Sequence, residues 1–150
     1  MGFSTIATHV VLFSVVIVMA AGLSISFANY QAKIDSSMRD QQDLKVSQLK
    51  TDMTIINAHN TSDRVILYIK NIGSEVLSVN TPSLNITNLF IDNTQVADYD
   101  TTVLNDGQNS GLWDPTETIL VNASYVASAG EHKALFVVEN GISVEKLFSA

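Results

Sequence analysis

The first charged side chain in this sequence is Lys33; the 32 residues before it contain no Lys, Arg, Asp or Glu. From Phe3 to Leu23 the apolar residues point in every helical direction. Val10, Val11, Leu12, Phe13, Val15, Val16, Ile17, Val18 and Met19 leave no polar stripe that could face water. An apolar stretch of about 20 residues at 1.5 Å rise spans a hydrocarbon core of roughly 30 Å. The Val and Ile content is no obstacle, because in lipid only a helix satisfies all its backbone polar groups within one segment. Thr5, Thr8 and Ser14 can bond to their own backbone or to a neighbouring helix, and His9 lies where an interfacial residue would sit.

Two processed forms compete with a permanent anchor. Val18-Met19-Ala20 passes as a signal-peptide cleavage site, but there is no basic n-region and the run exceeds the usual h-region of about 7–15 residues. A pilin-type leader would end its basic stretch in Gly, whereas Gly2 is preceded only by Met1. The segment is therefore expected to stay in the membrane uncleaved. Its far flank carries Lys33, Arg39, Lys45 and Lys50 against Asp35, Asp40 and Asp43, which taken alone favours a cytoplasmic body.

Beyond the first 50 residues there is room for one two-layer core. The acidic charge is concentrated there: residues 51–150 hold twelve Asp or Glu and four Lys or Arg, a balance of −8. Such a surface repels phosphate backbones and argues against nucleic-acid binding. With no cysteines, disulfides, thiolate metal sites and Cys nucleophiles are excluded together. Three of the twelve Asn begin sequons, at Asn60, Asn85 and Asn122, and these are the candidate N-glycosylation sites of an exported domain. Because Ser and Thr are 28 of the 150 residues, about two sequons are expected by chance, so they agree with export without establishing it.

After the membrane run the helical pattern continues without Pro or Gly through "SFANYQAKIDSSMRDQQDLKVSQLKTDM", with Phe27, Tyr30, Ile34 and Met38 along one side. A stalk helix is expected there, acting as a spacer or pairing with a neighbour's stalk. From residue 51 the period becomes two. Seven short runs, from "TDMTIIN" and "RVILYIKN" to "KALFVVEN" and "ISVEKLF", alternate with turn signals. The organisation expected is a transmembrane and stalk helix over residues 1–50, then an antiparallel β-sandwich of immunoglobulin-like character over 51–150. Asn140-Gly141 reads as the type I′ turn of a hairpin, and residues 98–111 as the longest loop.

No arrangement carries recognisable chemistry. His59 and His132 flank turn signals and are expected in exposed loops. Asp98, Asp100 and Asp106 offer oxygen ligands for Ca²⁺, yet they lack the EF-hand spacing and read as a solvated loop. Trp113 precedes Asp114-Pro115 and is expected at the edge of the core. No nucleophile elbow or phosphate loop is present. An enzyme is not expected, nor a cofactor or a metal.

The opening "MGFS", the stalk, "TDMTIIN", "VILYIKNIGSEVL", "LFIDN" and "LWDPTETILV" together resemble the archaellum accessory proteins F and G (FlaF and FlaG), membrane-anchored parts of the archaeal swimming machinery. "MGFS" without a processing site leans towards F. The resemblance implies a single-pass protein with its N-terminus inside the cytoplasmic membrane and its β-sandwich in the extracytoplasmic space below the S-layer. It implies a stator role in motility, with the S-layer protein, other archaellum motor and stator proteins and further copies of itself as partners. No contact residue carries over, because the interface lacks a short motif. The alternatives are an archaeal type IV pilin-like or archaellin filament subunit, and a membrane-anchored adhesin or solute-binding module.

Overall fold

The computed structural model describes the backbone of residues 2–79, 86–107 and 111–150, with side chains from residue 6 onward. The chain forms two compact units, Met1–Asp43 and Leu44–Ala150. The first belongs to helix α1, Gly2–Lys50, which is long and apolar enough to cross a membrane. From residue 6 to residue 43 its side chains are exposed throughout, including Val11, Phe13 and Val18. Ser14, Ser24 and Ser26 fold their hydroxyls back onto the carbonyl four residues earlier, so no hydroxyl of this trio needs water.

The second unit begins inside the helix, so its last turns, Leu44–Lys50, are part of the β head. Among the described residues ten strands follow: β1 Met53–Asn60, β2 Val65–Asn71, β3 Leu77–Ser78, β4 Asn88–Ile91, β5 Thr94–Val96, β6 Tyr99–Leu104, β7 Leu112–Trp113, β8 Thr118–Ala123, β9 Glu131–Val137 and β10 Ser143–Ser149. They form one sheet of order β1-β2-β8-β6, a second of order β10-β9-β4-β5, and the ribbon β3-β7, with all pairs antiparallel. Successive side chains of a strand face opposite sides, and β2 and β8 obey this strictly. Val65, Leu67 and Ile69 with Ile119, Val121 and Ala123 are fully buried, while Ile66, Tyr68 and Lys70 point outward. The second sheet answers with Leu89, Ile91, Ala134 and Phe136, and the two inner faces make one core. A long apolar helix followed by antiparallel sheets is the organisation expected from the sequence.

Several local expectations are corrected. Residues 98–111 are not one loop, because Tyr99–Leu104 is strand β6, paired with β8 from Tyr99↔Ala123 to Leu104↔Thr118. The type I′ geometry falls at Asp92-Asn93, where both residues have positive φ (51° and 65°) between the pair Ile91↔Thr94. At the hairpin expected to hold it, only Gly141 has positive φ (83°), and Gly141 N–H donates to the Val138 carbonyl at 2.9 Å. With Val138 N–H bonded to the Ile142 carbonyl, that loop has three residues, the alternative in which one Gly follows an ordinary turn. Trp113 is fully buried in the core, its indole N–H donating to the Glu117 carbonyl at 3.0 Å.

Candidate functional site

A densely hydrogen-bonded polar region of the head surrounds the end of the helix. A helix leaves its last carbonyls without intrahelical partners. Here two turns supply or organise them. The first is Asn71–Ser74: Ser74 N–H donates to the Lys50 carbonyl at 2.9 Å, and the N–H groups of Ile72 and Gly73 donate to the Asp52 carbonyl at 3.0 and 2.9 Å. Buried Asn71 shapes this turn by donating to the carbonyls of Glu75 and Trp113 and accepting from Gly73 N–H. A Cβ on Gly73 would lie 2.5 Å from the Asp52 nitrogen and nearer still to the Lys50 oxygen, so only glycine permits this approach.

The second turn is Glu139–Gly141. Asn140 Nδ2 donates to Thr51 Oγ1 at 2.7 Å and to Ser47 Oγ at 3.2 Å, Gln48 Nε2 donates to the Asn140 carbonyl at 2.7 Å, and Thr51 Oγ1 donates to the Ser47 carbonyl at 2.9 Å. Reading Asn-Gly as turn chemistry alone hid this role of the asparagine carboxamide.

Beside this root, β1 carries a bulge. Ile55 pairs with Ile69 and Asn57 with Tyr68, leaving Ile56 extra. The Lys146 ammonium on β10 donates to the carbonyls of Ile55 and Ile56 at 3.0 and 2.6 Å. The bulge reverses the facing of the residues after it, so Asn60 shares the inner face of Val65 while His59 turns outward opposite Ile66. His59 therefore belongs to a strand and stacks on Tyr68 with ring centroids 6.1 Å apart. The expectation of an exposed loop fails for it.

It fails more completely for His132, which lies on β9 at 7% exposure. Its Nδ1 is 2.6 Å from Asp92 Oδ2 and its Nε2 is 2.7 Å from the Ser128 carbonyl. The hydrogen bond to the Asp92 carboxylate, aided by the one to the Ser128 carbonyl, raises the imidazole above its ordinary 6.5. Conversely, the hydrogen bond from His132 and the Lys133 N–H lower the Asp92 carboxyl below 3.8. Sequence periodicity could have placed His132 in a strand, since it precedes the alternating Ala134 and Phe136.

The sequons separate. Asn60 is half-buried on the inner face and Asn122 is half-buried on the outer face of β8; the Oδ1 of each is buried without a hydrogen-bond partner. Asn85 lies outside the described residues. Asp100 sits on β6 opposite Asn122, while Asp106 accepts from Gly111 N–H at 2.8 Å. Among the described residues no group of acidic or imidazole side chains is arranged to hold a metal.

This geometry defines a class of helix-anchored subunits: an apolar helix whose last turns are built into an antiparallel β head. The chain belongs to the archaeal-type flagellin family, which it matches over residues 2–146. Its fold is similar to that of the archaellum periplasmic stator protein FlaG from Sulfolobus acidocaldarius, with a TM-score of 0.50 at 20% identity, covering 65% of this chain and 99% of that one. Matches also include the stator complex of FlaF and FlaG from the same organism (TM-score 0.47, 21% identity, 64% and 87% covered). Another is the archaeal flagellum of Methanospirillum hungatei strain JF1 (TM-score 0.47, 17% identity, 98% and 93% covered). No curated protein sequence matches. The family and these structures are archaellum components rather than enzymes.

Proposed function

We propose that this protein is a membrane-anchored component of the archaellum stator, of the FlaF kind, whose β head holds the rotary motor to the cell wall. The apolar helix lies in the cytoplasmic membrane with its N-terminus inside. The head occupies the extracytoplasmic space, where it binds the S-layer protein, other stator subunits or its own copies. A motor needs a stationary partner for its reaction torque, and a fluid bilayer is a poor one. The observation that carries the reading is the change of character along α1. An uncharged run suited to lipid gives way at Lys33 to a segment with five charged residues, Lys33, Asp35, Arg39, Asp40 and Asp43, before the head begins at Leu44. Charges at that density suit an aqueous stalk and cost several kcal/mol each in a dry helical bundle.

The fold shared with FlaG supports the stator reading. The test uses full-length protein in detergent, immobilised through a C-terminal tag, with surface-layer protein and solubilised membrane offered to it. Retention of the surface-layer protein is expected. Retention of filament subunits alone would refute the stator role. Protease added to intact cells should cleave the head, and a head cut only after lysis would refute the orientation. Of the two described sequons, Asn122 is the acceptor consistent with the fold, since it faces outward and Ser124 is exposed. Peptide mass spectrometry is expected to find glycan there and not on Asn60.

Family membership over residues 2–146 favours a second reading, a filament subunit. N-terminal sequencing separates the two: an intact start in the membrane fraction fits the tether, and a shortened one in sheared filaments fits the subunit.

A further inference from the structure

The His132 ring raises a question of proton number. Both ring nitrogens are within 2.7 Å of oxygens that carry no hydrogen when Asp92 is ionised, a carboxylate on one side and a backbone carbonyl on the other. A neutral imidazole has one N–H and can serve one of them; the imidazolium serves both. The two acceptors belong to different parts of the head. Asp92 is the first residue of the two-residue turn joining β4 to β5, and Ser128 lies in the irregular stretch between β8 and β9.

We propose that His132 is a proton-operated latch that fastens the β4–β5 edge hairpin to β9 when the ring is doubly protonated and lets it loosen when one proton leaves. The hairpin is well placed to respond. β5 has three residues and sits at the edge of its sheet, where its short ladder with β4, the Gln95–Asn88 bond and buried Val96 hold it together with the turn. Its turn keeps two non-glycine residues at positive φ, a conformation Asp and Asn tolerate but do not prefer. The carboxylate of Asp92 also accepts from Lys133 N–H at 2.9 Å, and Asp92 N–H donates to the Lys133 carbonyl at 3.0 Å. The turn is thus tied to β9 at both residues 132 and 133.

Deprotonation would leave a nitrogen lone pair facing an oxygen, and one of the two ties would open. Loosening β5 uncovers the backbone edge of β4, a surface on which another strand can pair. The other groups around the ring do not replace the proton. On β10, Phe148 packs against it at 5.6 Å between centroids, and Glu145 is paired with Lys133. Glu131 is exposed one residue away on β9, and Ala150 is bonded through its backbone to Gly130.

The experiment is hydrogen exchange on the full-length protein in detergent between pH 6 and 8.5, corrected for intrinsic rates. Protection of amides 92–96 is expected to fall roughly tenfold across that range while the β2 amides keep theirs. Asp92→Asn keeps a turn-compatible residue and removes the charge; it should show the low protection already at pH 6, with no further step. Unchanged wild-type protection, or an Asp92→Asn variant with the same step, overturns the latch. A second reading needs no variant: the midpoint of the loss must match the titration of isotope-labelled His132. A separation above about one pH unit would also overturn it.

Discussion

His132 and Asp92 show how two residues with no sequence proximity acquire opposite shifts from one contact. The imidazole is raised in the folded state, so its contribution to stability is complete below pH 6.5 and is lost as pH rises through its higher folded value. The carboxyl is lowered, so its contribution is complete above pH 3.8 and is lost as pH falls through its lower folded value. The melting temperature should therefore be highest between those limits and decline on both sides, and the alkaline decline should vanish in His132→Gln. Scanning calorimetry across pH 3–9 checks both. Gly73 is the other residue whose role is set by distance. Gly73→Ala forces backbone apart at Lys50 and Asp52, with an expected loss of about 2–3 kcal/mol in chemical denaturation. The sequence marks Gly73 only as a turn residue, since the carbonyl it must approach lies 23 positions earlier.

At the scale of elements, legibility followed periodicity. The alternation in β2 and β8 is visible in the sequence because one face is buried between sheets. Strand β6 was not legible. It is an edge strand whose side chains are all exposed or half-buried, so "YDTTVL" carries no apolar alternation and has the composition of a loop. The β4–β5 hairpin was missed because "LFIDN" continues an apolar run into a turn made without glycine. The root was hidden for another reason: Asn140 joins residues 89 and 93 positions away, which no local pattern records. Asn140→Ala removes the side-chain bonds to Thr51 and Ser47 and should cost roughly 2 kcal/mol of head stability. Asn140→Asp, which keeps the acceptor for Ile142 but loses the donors, should cost nearly as much, as urea titration can measure. The bulge at Ile56 makes a sharper element-level test. Deleting Ile56 should close the bulge into a regular ladder that keeps Asn57↔Tyr68 and Asn60↔Val65, so His59 stays outward and Asn60 inward without glycan; gain of glycan at Asn60 would report a slipped strand instead.

For the whole molecule, the division of labour is between a helix that suits lipid and a head that carries nearly all the acidic charge. Val16→Arg places a cation in the middle of the uncharged run, at about 2.5–3.5 kcal/mol on insertion scales. The variant is expected to appear in the soluble fraction on carbonate extraction while the head keeps its native near-ultraviolet spectrum. In chain order, tension travelling up the helix meets Ser47, Gln48, Lys50 and Asp52 before it meets the first ladder bond of β1. Several bonds at that collar share the pull in parallel. Mechanical failure should then come as one abrupt rupture at high force, followed by easy unravelling of the first strand, rather than as a gradual unzipping.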